Sequence, residues 1–228
     1  MIQYEVIRSP RRKTVVIEVH RDQSVKVRAP LRVSEREIKR LVKEKYQWIY
    51  NQQLRQAELP QQVDQPEFNC GSSHFLYGNP ITLNWTPGLY RTRLEDDALL
   101  IPFPDQKSEQ HAEKMVKAWY RQQATALFSR RLSHWYALIP HWQVPQPSLK
   151  LRYMKRYWGS CSSRGSITLN IHLLKVPHEL IDYVITHELS HLKEMNHSPK
   201  FYAWQESLLP DWKERRAELR TWEQRVLV

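Results

Sequence analysis

Three histidines, with a glutamate directly after the first, fall within eleven positions, His187 to His197, in the stretch THELSHLKEMNHSPKF. This spacing limits what the chain can fold into more than any other feature. His187 and His191 are four apart, so a helix carries both imidazoles on one side, one turn apart. A straight helix would carry His197 on by ~9 Å and round to another face. For the three rings to meet, the helix must stop and the chain must turn. Asn196 tolerates the left-handed conformation that ends helices, so the turn is expected at Met195-Asn196. Ser198 and Pro199 then supply the cap and the first-turn residue of a following helix.

The chemistry follows from the residue types. The motif helix is expected from Pro177 to about Met195, with Leu180, Ile181, Val184, Leu189 and Leu192 as its buried stripe. Two imidazoles one helical turn apart can bind a single zinc ion, and in H-E-x-x-H the glutamate is not a ligand. Glu188 is expected to act as general base on a zinc-bound water. Catalytic zinc commonly takes three protein ligands and leaves one position open, and His197 is the candidate for the third. His187, His191 and His197 are thus the expected metal ligands and Glu188 the expected catalytic residue.

The rest of the chain alternates strands and helices. Val15–Val19 and Val25–Val27 alternate across a turn at Asp22-Gln23-Ser24 and read as a hairpin. Ser34 with Glu37 is a capping box for one helix running to about Glu58. Its apolar side is expected to include Ile38, Leu41, Val42, Tyr46, Trp48, Ile49 and Leu54. Pro60 and Pro66 break the chain. Residues 68–104 read as further strands with turns at Gly78-Asn79-Pro80 and Glu95-Asp96-Asp97. Asp105 or Ser108 caps a long helix reaching about Ile139. SLKLRYM and SITLNIHLL read as two strands joined by YWGSCSSRG. The expected domains are a basic, β-rich accessory region with one helix at 1–104 and a catalytic core at 105–228.

The chain has 228 residues, 41% of them hydrophobic and 26% charged, which suits a soluble globular protein. No run of about 18 apolar residues exists to span a membrane. The start, MIQYEVIRSPRRK, has no apolar core of signal-peptide length, so a cytoplasmic location is expected. Two cysteines, Cys70 and Cys161, are too few for a disulfide framework. The net charge is +11, and residues 1–60 hold 14 Lys/Arg against 7 Asp/Glu. Such a surface attracts polyanions, so nucleic acid and nucleotides join protein or peptide substrates as candidate partners.

THELSHLKEMNHSPKF together with YWGSCSSRGSITLN resembles the YgjP-like metallopeptidase family, an H-E-x-x-H zincin group related to SprT-like and WLM proteases. VIRSPRRKTVVIEV fits the family's usual opening. The resemblance implies His187, His191 and His197 as zinc ligands and Glu188 as the catalytic acid/base. It implies an α+β fold with a zincin-like core: a backing helix, a small twisted sheet, the H-E-x-x-H helix and C-terminal helices. Family members often carry Arg immediately before Trp-Gly-Ser-Cys; here that residue is Tyr157, with Arg156 one place earlier. The histidine spacing matches the metzincin pattern, but Glu194 stands where that pattern has Gly. The turn is therefore expected later, and Met195 is not read as a Met-turn.

Other polar residues carry weaker signals. Cys161 is expected to be structural, since no base or oxyanion donor accompanies it at fixed spacing. The YWGSC segment is a candidate sheet edge that pairs with an extended peptide. His172 alternates against Ile171 and Leu173 and is expected at the surface. Tyr153, Tyr157, Tyr183 and Tyr202 are candidate oxyanion donors. Asp182, Asn170 and Glu194 are candidates to orient a ligand histidine, and Trp204, Trp212 and Trp222 are expected in the core. The leading functional expectation is a zinc-dependent peptidase. The alternatives are a metal-dependent nucleotide phosphohydrolase, which needs Lys/Arg clustered near the metal, and a nucleic-acid-associated protease using the basic N-terminal hairpin and helix.

Overall fold

The computed structural model describes residues 2–20, 22–57, 67–103 and 108–227, with residues 55–57 as backbone only. The chain divides into two compact units, Met1–Gln62 and Val63–Val228.

In the first unit, β2 (Val16–Val19) and β3 (Val25–Pro30) form the expected antiparallel hairpin. Its turn is fastened by Asp22, whose Oδ1 accepts from the Ser24 N–H at 3.0 Å. A third strand, β1 (Glu5–Ser9), pairs in parallel with β3. The Ser34–Glu37 capping box is present at the start of α1 (Glu35–Glu44). One helix was expected here; the chain instead breaks at Lys45 and restarts as α2 (Tyr46–Ala57). The break changes which residues face inward. Ile38, Val42 and Ile49 are buried with Val25, Val27 and Ala29, while Tyr46, Trp48 and Leu54 are exposed. The expected helix end near Glu58, with Pro60 and Pro66, lies outside the described residues. Some of the basic charge is structural: Arg8 donates to the Val33 carbonyl at 2.6 Å, and Arg28 pairs with Glu18 at 2.9 Å.

The second unit opens with β4 (Ser73–Leu76), β5 (Asn79–Thr86), β6 (Arg93–Glu95) and β7 (Ala98–Pro102), in the order β4-β5-β7-β6. The sequence grouped these strands with the N-terminal region, but they lie in the unit that carries the histidine motif. The reason is the tight β4–β5 turn at Tyr77-Gly78. The Tyr77 and Gly78 N–H groups donate to the carbonyls of Leu174 and Lys175 at 2.7 and 3.1 Å. Gly78 has φ +86°, and a Cβ there would come within 2.9 Å of Pro177 Cγ, so only glycine fits.

Helix α3 (Glu109–Ala137) is the expected backing helix, with Ser108 at its N-cap position; Asp105 lies outside the described residues. It buries Ala112, Val116, Trp119, Leu127, Phe128 and Leu132, while Leu138 beyond its end is exposed. A small sheet follows: β8 (Ser148–Arg152), β9 (Gly159–Cys161) and β10 (Ser166–Asn170), in the order β8-β10-β9. β10 was expected to run on through Leu173. It stops because the Asn170 side chain accepts from the His172 N–H and caps a short 3-10 turn, Ile171–Lys175. Then come α4 (His178–Ser190), α5 (Pro199–Leu208) and α6 (Trp212–Val226). Trp212 and Trp222 are buried as expected, and Trp204 is half-buried. The architecture is α+β, with backing helix, small sheet, motif helix and C-terminal helices in the expected order. No helix is long and apolar enough to cross a membrane among the described residues.

Candidate metal centre and catalytic cleft

Helix α4 runs through the interior. Leu180, Ile181, Ile185 and Leu189 are fully buried, and the polar Asp182, Thr186, Glu188 and Ser190 are buried as well. Asp182 pairs with Arg131 of α3, whose Nε donates to Asp182 Oδ1 at 2.6 Å, and Trp135 Nε1 donates to the same oxygen at 3.0 Å. Asp182 therefore ties motif helix to backing helix and does not reach a histidine. On the α5 side, Gln205 Nε2 donates to Thr186 Oγ1 at 2.9 Å, and Ser190 Oγ donates to the Thr186 carbonyl at 2.9 Å. Thr186, Ser190 and Gln205 are all fully buried. Ser190, at one of the two unassigned positions of H-E-x-x-H, sits inside this network.

The helix ends at Ser190 with His191 as its C-cap. The turn was expected at Met195-Asn196 and comes earlier. The Lys193 and Glu194 N–H groups both bond to the Ser190 carbonyl, at 3.1 and 3.0 Å. His191 Nδ1 meets the Glu194 carbonyl at 3.1 Å, which fastens the turn and leaves Nε2 free. Glu194 thus orients a histidine through its backbone rather than its carboxylate. Ser198 then caps α5 by accepting from the Phe201 N–H, with Pro199 in the first turn as expected.

This path brings the three rings together. Their candidate ligand nitrogens lie within 4.8 Å of one another. His187 Nε2 and His197 Nε2 stand 3.1 Å apart. Two ligands at ~2.0–2.1 Å on one tetrahedral ion sit ~3.3 Å apart, so this pair fits a shared cation. Phe201, fully buried, packs its ring against all three imidazoles with centroids at 4.9, 4.5 and 4.8 Å. Burial, then His191 and His197, hold the His187 ring neutral down to a pKa of about 3. Neutral imidazole is the form that binds a metal.

Glu188 is buried against β9. Burial raises its pKa to about 8, and its Oε2 has no hydrogen-bond partner. A Cβ at Gly159 would fall 2.6 Å from Glu188 Oε1 and 2.9 Å from its Cγ. The carboxylate therefore occupies space that only a glycine at this strand position leaves open. The sequence reading did not single out Gly159 or Phe201. Neither carries a motif signal; each is defined by what packs against it.

The YgjP-like, metallopeptidase domain family matches residues 13–221. The chain belongs to this family. It is accordingly a hydrolytic enzyme of the metallopeptidase kind, and its family implies a protein or peptide substrate and a catalytic metal. Among solved structures, the chain is similar to the metallopeptidase zymogen of Pyrococcus abyssi abylysin, with 30% identity and a TM-score of 0.39. That match covers 44% of this chain and 98% of the other. No curated protein matches the chain.

In this YgjP-like chain His187, His197 and Glu188 open into a cleft of about 380 Å³. Its walls include Trp158 and Gly159 of the β9 segment and Tyr183 of α4. Arg156, Arg216 and Arg220 line it too, and none of the three has an ion-pair partner among the described residues. Of the candidate oxyanion donors, Tyr157 and Tyr183 line the cleft. Burial raises the Tyr183 hydroxyl to a pKa of about 12, so it keeps its proton. Tyr153 donates to the Lys117 carbonyl and points elsewhere. Tyr202 stacks on Trp212 with centroids at 4.8 Å. Burial, then Glu188, push the Cys161 thiol up to about 11, which suits the structural role expected of it.

Proposed function

We propose that this YgjP-like enzyme is a zinc peptidase in which His187, His191 and His197 hold the ion and Glu188 moves the proton. The observation that carries the reading is the convergence of three imidazole nitrogens beside a buried carboxylate on one helix. When bound, the ion supplies a Lewis acid that polarises a carbonyl and makes a water acidic enough to react near neutral pH. Glu188 accepts the proton of the attacking water at a carboxylate oxygen and returns it to the leaving nitrogen. A cation held by the histidines would favour the Glu188 carboxylate, the form that accepts the proton, while burial favours the carboxyl that returns it. The retained proton of Tyr183 makes it the donor placed to face a developing oxyanion. Among the described residues β9 is an edge strand, paired only with β10. An extended peptide laid along its free edge gains backbone pairing with little sequence preference.

The three arginines favour a second reading. Guanidinium groups without carboxylate partners, in the same cleft as the metal ligands, are what a phosphate-bearing substrate needs. The two readings separate in one experiment. Casein and nucleoside triphosphates are offered to the zinc-loaded wild type and to Glu188→Gln. The peptidase reading expects casein cleavage in the wild type, lost in Glu188→Gln at unchanged zinc content. Cleavage of triphosphate alone establishes the second reading. A Glu188→Gln protein with zinc and full activity removes the role assigned to Glu188.

A further inference from the structure

A second cavity, of about 300 Å³, is left unused by the peptidase reading. Lys117 and Tyr120 of α3, Tyr153 and Lys155 after β8, and His172 and Lys175 of the 3-10 turn line it. The charges do not balance. Three lysines face a single lining carboxylate, Glu113, and that group is already paired with Lys117. Lys175 has no carboxylate partner among the described residues; its nearest compensation is the Tyr120 ring, 5.8 Å from Nζ.

The polar groups that might have served Lys175 are committed elsewhere. The Tyr120 hydroxyl donates to the Phe75 carbonyl at 2.6 Å. The Tyr153 hydroxyl donates to the Lys117 carbonyl at 2.9 Å. His172 packs edge-on against Tyr153 at 5.1 Å, and its Nδ1 is buried with no partner. Burial, then the Lys117 charge, lower the Lys175 ammonium to a pKa of about 8. Lys175 is half-buried at the cavity wall, so its ammonium is reached from the cavity and an anion there would complete it. The volume falls at the lower end of small-ligand pockets. Ammonium groups from three segments, Lys117, Lys155 and Lys175, against one carboxylate that is already paired, are complementary to an anion.

We propose that this cavity binds a small oxyanion, a phosphate or carboxylate group, held by Lys175, Lys155 and His172. The assignment is independent of the peptidase chemistry.

Titration calorimetry on the full chain tests it, with inorganic phosphate and malonate in parallel at constant ionic strength. At least one anion is expected to bind saturably, one per chain. Tighter phosphate points to a phosphoryl ligand, and tighter malonate to a carboxylate one. Lys175→Met should weaken binding by about tenfold or more. Lys155→Met, an exposed position, should weaken it less and serves if Lys175→Met does not fold. Arg216→Met in the catalytic cleft and Lys39→Met on α1 should leave it unchanged. Binding that disappears with Arg216→Met and survives Lys175→Met and Lys155→Met would overturn the proposal. So would the absence of saturable binding for both anions, or equal weakening by Lys39→Met.

Discussion

His187 and His172 are alike in one respect and opposite in another. Burial holds both rings neutral down to a pKa of about 3. After burial, the causes at His187 are two further imidazoles and, behind them, Arg216, whereas at His172 they are the ammonium groups of Lys175 and Lys117. The first neighbourhood offers lone pairs and suits a cation. The second offers protons and suits an anion. Burial of a histidine therefore says little about its use; the groups that repel its proton say more.

The contrast can be broken first at His197. His197→Ala removes one of three converging nitrogens and should lower metal affinity by more than ~10²-fold, since even residues behind metal ligands are worth 10–100-fold. Metal content and peptidase activity should fall together, with phosphate binding unaltered. If metal content holds, His197 is not a ligand.

Gly159→Ala should come next. The new methyl group displaces Glu188, and a shift of about 1 Å at a catalytic group costs roughly 10²-fold in rate. Metal content should stay at the wild-type level, which separates this variant from His197→Ala. An alanine variant with wild-type kcat/KM would show that Glu188 has room to spare.

Gln205→Leu probes the scaffold behind the site. It removes the buried donor to Thr186 Oγ1, whose hydroxyl still donates to the Asp182 carbonyl, a cost of about 1 kcal/mol. Urea denaturation reads this directly, and an unchanged midpoint would contradict it.

A last prediction concerns stability against pH. Burial, then Lys175, lower His74 from its usual 6.5 to about 4. The unfolded chain then takes up the proton first, so the contribution is complete above pH 6.5. It declines as pH falls towards 4, by at most ~1.4 kcal/mol per unit. Thermal denaturation of the wild type between pH 7 and 4 should show this slope, and His74→Gln should flatten it.

Much of this was legible in the sequence, for stated reasons. The positions of α3, α4 and α5 follow from apolar periodicity and from Ser-Pro at 198–199. The grouping of the histidines follows from their spacing. Three things were not legible, and each depends on contacts distant in sequence. The early end of α4 is set by the Glu194 carbonyl meeting the His191 ring. The placement of β4–β7 is set by Tyr77 and Gly78 docking on the turn before α4. The inward aim of His172 follows from Asn170 ending β10 three residues early, which removes the strand alternation that had sent the ring outward.

Asn170 has a further consequence. Its Oδ1 accepts from the Met154 and His172 N–H groups, and its Nδ2 donates to the Met154 and Tyr157 carbonyls at 2.7 and 2.8 Å. The segment it clasps supplies Met154 and Lys155 to the anion cavity and Arg156 to Gly159 to the cleft. Deamidation to aspartate swaps one nitrogen for one oxygen and keeps the shape. It leaves two carbonyls facing a carboxylate, so a single hydrolysed amide would loosen both walls at once.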